Sequence, residues 1–211
     1  MLGLWKLVIK GGIMIWPIIL CSLLSLAIIL ERFYFYWRAN QDPEKLMGSL
    51  KEFLGRNRVK EALEECDRKP TPLSQILKAG IAQYGKSKDV IKESMEEASL
   101  YEVPKLERNL SFLATIAHIS PLLGLLGTVV GLVRCFQGIE MKVSQLGSIS
   151  PADLAGGIWE ALLTTVAGLI VAIPTYVAYN YFVHKVNFYT LEMERTSSEL
   201  LQVISGEAEG L

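Results

Sequence analysis

Charge is what this 211-residue sequence withholds over long stretches. Charged residues make up 20% of the chain and hydrophobic ones 51%, and the mean hydropathy is +0.32. The ionisable groups crowd between Glu31 and Arg108, while other stretches hold almost none. A bilayer imposes such segregation, because a charged side chain at its centre costs several kcal/mol. Cysteine is scarce too. Cys21, Cys66 and Cys135 are an odd number without a CxxC spacing, which excludes a disulfide framework and leaves small buried hydrophobes. Nucleophile motifs, metal-ligand spacings and phosphate loops are absent, and the two histidines, His118 and His184, stand far apart. Neither an enzyme nor a bound metal or cofactor is expected. With a net charge of −1 and no basic patch interleaved with aromatics, nucleic acid is not an expected partner either.

What is present are three long apolar runs. A transmembrane helix needs about 20 apolar residues to cross about 30 Å of hydrocarbon. The first run, Gly11 to Leu30, has no charge and ends in Glu31 and Arg32, then an aromatic belt from Phe33 to Trp37. It is too long for a cleaved signal peptide, and no small-residue cleavage site follows it. The second run, Leu110 to Val133, has only His118 as a titratable residue, and the third, Leu154 to Val183, only Glu160. The third would form a helix of about 45 Å, more than the hydrocarbon needs. Asp153 stands too near the end of that span to build an active site.

The polar region between the first two spans has helical texture. Pro43 and Glu44 open an amphipathic stretch that Pro70 and Pro72 break, and Leu73 to Tyr84 forms another. Ser87 is a candidate N-cap for a helix in which Val90, Ile91, Ser94, Met95, Ala98 and Tyr101 recur at helical spacing. That helix is expected to run on past Pro104 into the second span as one long rod. Lys and Arg flank this region at Arg32, Arg38, Lys45, Lys51, Lys92, Lys105 and Arg108, against Arg134 and Lys142 between spans two and three. The positive-inside rule therefore places the large segment and the carboxyl tail inside and the amino terminus outside. Lys6 and Lys10 argue weakly the other way, in a stretch that reads as a short interfacial helix.

At about 100° per residue, Ala117, Ser120, Gly124, Gly127, Thr128, Gly131 and Cys135 share one face of span two. Small faces let membrane helices approach closely. The same face, with its hydroxyls, also fits a narrow polar lumen, and span two alone leaves both readings open. Span three gathers Glu160, Thr164, Thr165, Gly168, Ala172 and Thr175 on one side and branched apolar residues on the other. An intramembrane carboxylate is a functional-site hypothesis by default; a snorkelling group or a structural hydrogen bond are the alternatives for Glu160. His118 falls roughly 120° from the small face of span two and reads as a hydrogen-bonded packing residue rather than a relay. Pro121 and Pro174 are tolerated inside spans and can loosen the helix locally.

Two strings, LATIAHISPLLGLLGTVVG (Leu113–Gly131) and GIWEALLTTVAGLIVAIPTYVAYN (Gly157–Asn180), closely resemble the last two spans of the MotA/TolQ/ExbB proton-channel family. The likeness runs from about Leu106 to Phe182, and three spans look like the ExbB or TolQ branch. The resemblance implies a proton-driven motor subunit in the inner membrane of a diderm bacterium. It further implies a pentamer whose second and third spans line a central channel. Inside that channel would sit a dimer of an ExbD- or TolR-like single-span partner with a membrane aspartate. A TonB- or TolA-like protein would act beyond it. Thr128, Glu160, Thr165 and, beside it, Thr164 would lie along the proton pathway, with Gly124, Gly127, Gly131, Gly168, Ala172 and Thr175 on the helix-packing and pore face. His118 replaces the Asn or apolar residue usual at its position, so no family role carries over to it.

The expected fold is an all-α integral membrane protein with three transmembrane helices. A helical cytoplasmic domain is formed by the segment between spans one and two together with the carboxyl-terminal tail. Its parts are a periplasmic interfacial helix at 1–10, spans at 11–38, 106–137 and 153–184, a cytoplasmic region at 39–105, a periplasmic loop at 138–152 and a tail at 185–211. ExbB-like energising of TonB-dependent transport is the favoured function. TolQ-like envelope maintenance, a motility motor and a passive scaffold for a single-span partner are the alternatives.

Overall fold

The computed structural model describes residues 12–39, 42–146 and 151–206. Its regular elements there are all helical: α1 (Ile15–Ala39), α2 (Pro43–Gly55), α3 (Val59–Arg68), α4 (Pro72–Ala82), α5 (Lys88–Glu107), α6 (Leu110–Leu146) and α7 (Pro151–Ile204). Three helices are long and apolar enough to cross a membrane. The helix expected at 1–10 lies outside the described residues. Helix and span are different things here: α6 continues to Leu146 and α7 to Ile204, beyond where their apolar runs end.

These residues form two compact units. The first holds α1 as far as Glu31, all of α6, and α7 as far as Tyr181. Its outward side chains are apolar, among them Leu23 at 61% and Ile170 at 66% exposure. Beside Ile15, Ile18, Leu110, Leu113 and Ile116, it buries a set of small residues: Ala117, Ser120, Ala161, Thr164, Ala172 and Thr175. Helices suit such a unit because hydrocarbon offers the backbone no hydrogen-bond partner, so each segment must satisfy its own amides.

The second unit comprises Arg32–Arg108 and the chain from Phe182 onward. Two of its short helices, α2 and α4, are started by specific caps. Asp42 accepts hydrogen bonds from the Glu44 and Lys45 amides at 3.2 and 3.4 Å, with Pro43 beginning α2. The Lys45 amide, then the Lys45 ammonium, hold the Asp42 carboxyl below its ordinary pKa. Thr71 and Ser74 exchange hydrogen bonds as a capping box, with Pro72 at the start of α4. Consecutive helices from α2 to α5 pack on their neighbours, burying Leu50, Leu54, Leu77, Ile81, Ile91 and Met95. Gly80 lets α4 approach α5, since a Cβ there would collide with the Met95 side chain.

Two helix boundaries depart from the sequence reading. The single stretch expected from Pro43 to Pro70 is split at Asn57, whose φ of 59° turns the chain between α2 and α3. The long rod expected through Pro104 is interrupted, not at the proline but at Arg108 and Asn109. Arg108 is extended and Asn109 has φ 63°. Asparagine is among the few residues that enter the left-handed region at modest cost. The carbonyls that α5 leaves unpaired at its end are met from α1. Arg32 donates to Lys105 O at 3.1 Å and Tyr36 to Leu106 O at 2.7 Å. Arg32 is 1% exposed, with its guanidinium 4.6 Å from the Phe35 ring centroid. A residue that reads in sequence as a topological charge is thus an interior helix cap.

Candidate functional site

In the first unit α6 and α7 run antiparallel along a seam of small residues. A Cβ on Gly168 would stand 2.5 Å from Ser120 O, and one on Gly124 would stand 2.9 Å from Thr164 O and 3.0 Å from Thr165 Cα. A Cβ on Gly131 would meet Ala161 at 3.1 Å, and one on Gly127 would collide with the Thr164 side chain. At the far end Cys135 lies against Gly157. Here glycine is required by backbone-to-backbone approach, the contact on which helix association in lipid depends. Ala172 and Thr175 are buried as well, and the Thr175 hydroxyl donates to Val171 O at 2.7 Å.

The sequence-selected threonines divide along this seam. Thr164 is 2% exposed, and its hydroxyl reaches Ala161 O at 2.7 Å and Gly124 O at 3.2 Å. Thr165 is half-buried and donates to the same Gly124 carbonyl at 3.3 Å. Thr128 is also half-buried, bonded to Leu125 O at 2.6 Å. Thr164 therefore fastens the two helices. Thr128 and Thr165 edge the seam, where their oxygens can still accept a hydrogen bond from outside.

Glu160 occupies the other edge. It lies about 140° around α7 from Thr165, and its Oε1 would be 2.6 Å from a Cβ on Gly12. Arg134 Nη1 would be 3.6 Å from the same point. A small cavity of about 10 Å³, the least that admits one water, is lined by Gly12, Gly131, Arg134 and Glu160 among others. With a left-handed φ of 64°, Gly12 lies close to both Glu160 and Arg134. Sequence reasoning missed Arg134 and Gly12. Glycine facing alanine, Gly131 with Ala161, sets the helix register, and that register brings Arg134 opposite Glu160.

His118 is hydrogen-bonded, as its sequence reading expects. It is exposed, its Nδ1 lies 2.7 Å from Ala114 O, and its ring meets Tyr176 edge-on with centroids 6.2 Å apart. Among the described residues no group of three or more His, Cys, Asp and Glu side chains could hold a metal ion.

Comparison with known proteins identifies the lineage of this arrangement. Residues 68–195 match the MotA/TolQ/ExbB proton channel family. The chain is 33% identical over 172 residues to an ExbB-like protein of Synechocystis sp., with 82% of this chain and 81% of that one aligned. It is 29% identical over 201 residues to the Tol-Pal system protein TolQ of Haemophilus influenzae, covering 90% and 86% of the two chains. The solved C. jejuni MotAB structure shares the fold at a TM-score of 0.60 and 18% identity, over 95% of this chain and 78% of that one.

Proposed function

The chain belongs to the MotA/TolQ/ExbB proton channel family, and from that membership we propose that it is the channel-forming subunit of an inner-membrane motor driven by proton-motive force. The observation that carries this reading is the α6–α7 seam. It presents the Thr128 and Thr165 hydroxyls at an edge while the rest of its polar atoms are used internally. Several copies, five in the family reading, surround the single span of an ExbD- or TolR-like partner dimer. The Thr128 and Thr165 oxygens then take up and pass the hydrogen bonds of that partner's membrane carboxyl. Thr164 and the glycines hold the wall together, and Glu160 with Arg134 sets the charge at the outer end.

The large polar region and the carboxyl tail lie in the cytoplasm and the amino terminus in the periplasm, which the Lys and Arg distribution supports. Energising TonB-dependent transport is the branch we assign. The TolQ relative lies at similar identity, so TolQ-like envelope maintenance is the competing branch. The partner gene beside this one separates them.

The test is proton flux into proteoliposomes holding the chain with its single-span partner. Thr165→Ala and Glu160→Ala should each assemble normally and lower flux, Thr165→Ala about tenfold or more, the order of one lost transition-state hydrogen bond. Wild-type flux in both variants would instead make the chain a passive scaffold.

A further inference from the structure

The His118–Tyr176 contact lies on the same side of the helix pair as the two edge threonines. On α6, His118 is about 80° from Thr128, turned away from the glycines, and on α7 Tyr176 is about 20° from Thr165. That the two rings touch shows these sides of α6 and α7 face the same way. The pair lies about 16 Å along α7 from Thr165, eleven residues at 1.5 Å each, in the direction of the α7 carboxyl end. Asn180, exposed and bonded through Nδ2 to Tyr176 O at 3.1 Å, carries the polar face one turn further.

On α7, the exposed Ile170 and Val177 stand about 100–140° from Thr165 and Tyr176. They fit lipid. The phenol of Tyr176 and the amide of Asn180 do not, since polar groups in a span turn to protein or water, and the imidazole meets that phenol. The imidazole is also oriented. A ring nitrogen 2.7 Å from a carbonyl oxygen must donate, so Nδ1 carries the hydrogen and Nε2 is left as acceptor. Tyr176 is the titratable group set against it, and among the described residues His118 forms no ion pair.

We propose that His118 is a second proton-accepting station of the channel, at the inner end of the face that carries Thr128 and Thr165. This rests on the channel reading above. Nε2 takes a proton from a hydronium ion, leaving water and giving an imidazolium that donates through both nitrogens. It then releases the proton from Nε2 to water, and Nδ1–H stays on the Ala114 carbonyl throughout. Tyr176 positions the ring and exchanges no proton.

Two measurements test it. With only two histidines in the chain, His184→Gln leaves a single imidazole whose nitrogen-15 NMR signals report its tautomer and charge. We expect the Nδ1–H tautomer in alkaline buffer, giving way to imidazolium on acidification. One unchanging charge state across that titration overturns the proposal, and this arm needs no partner subunit. In proteoliposomes with the partner, His118→Asn, which can still donate to Ala114 O, should cut flux about a hundredfold, the low end for a proton-transfer group. It should also remove the pH step from the flux profile, while Tyr176→Phe keeps both. Flux and pH profile unchanged in His118→Asn, with Thr165→Ala impaired, overturns the relay alone. Both variants unchanged overturns the channel reading and the relay with it.

Discussion

The two units of this chain hold themselves together by opposite means. In the unit of Arg32–Arg108 and the later α7, Leu50, Leu77 and Ile81 are buried and charges line the outside. Ion pairs such as Lys78–Asp67 at 2.6 Å and Lys51–Glu199 at 2.5 Å decorate that surface and add little to stability. In the unit of α6 and the earlier α7, many large apolar residues are outside, and the seam between the helices is glycine, alanine, serine and threonine. Water rewards burying apolar area, at about 25 cal/mol per Å². Lipid does not, so cohesion there comes from close backbone approach and from threonine hydroxyls on carbonyls. A leucine is worth most inside the second unit, and its absence is worth most at the seam of the first.

The comparison breaks most visibly at Leu77. Leu77→Ala should cost about 2–5 kcal/mol, read as a lowered unfolding midpoint of the second unit, because the side chain is 0% exposed. Glycine sharpens the contrast with a change of sign. Gly168→Ala places a methyl against Ser120 O and should destabilise the α6–α7 seam by about 1–3 kcal/mol, seen as a lower melting temperature in detergent. Gly48→Ala, inside α2 with nothing within 4 Å of the new methyl, should stabilise by about 0.5–1 kcal/mol. If both glycine changes stabilise, the seam is looser than described.

The smallest effect concerns Cys66. Burial, then the neighbouring Asp67 charge, pushes its thiol up to about 11. The reactive thiolate is therefore scarce at neutral pH. Maleimide labelling of Cys66 in the folded chain should be negligible at pH 7 and should rise as pH approaches 11. Rapid labelling at pH 7 would mean that the second unit opens readily.

The apolar runs and the small faces were legible because each is a repeat in composition or period. Gly124, Gly127, Gly131 and Gly168 lie at the seam that their spacing indicates. What was illegible depends on a single residue's backbone or on a pairing across helices. Asn57 and Asn109 end helices through positive φ, and an asparagine in a polar stretch gives only a weak local sign of that. Arg32 looked like a membrane-flanking charge, because nothing nearby in sequence shows that it will cap α5. Glu160 and Thr165 looked like one stripe, since a wide helical face accommodates both. Only the position of the seam shows that they flank it, Glu160 beside Arg134 and Thr165 beside Gly124.

The left-handed residue at Asn109 also makes α6 independent of the helix before it. In a continuous rod, one residue inserted upstream would rotate every later side chain by about 100°. Glycines would turn toward lipid and leucines into the seam. With the helical phase reset at Asn109, insertions and deletions in α5 leave the angular placement of Thr128 and the glycines untouched. The length of α5 can thus drift in evolution without altering the channel wall.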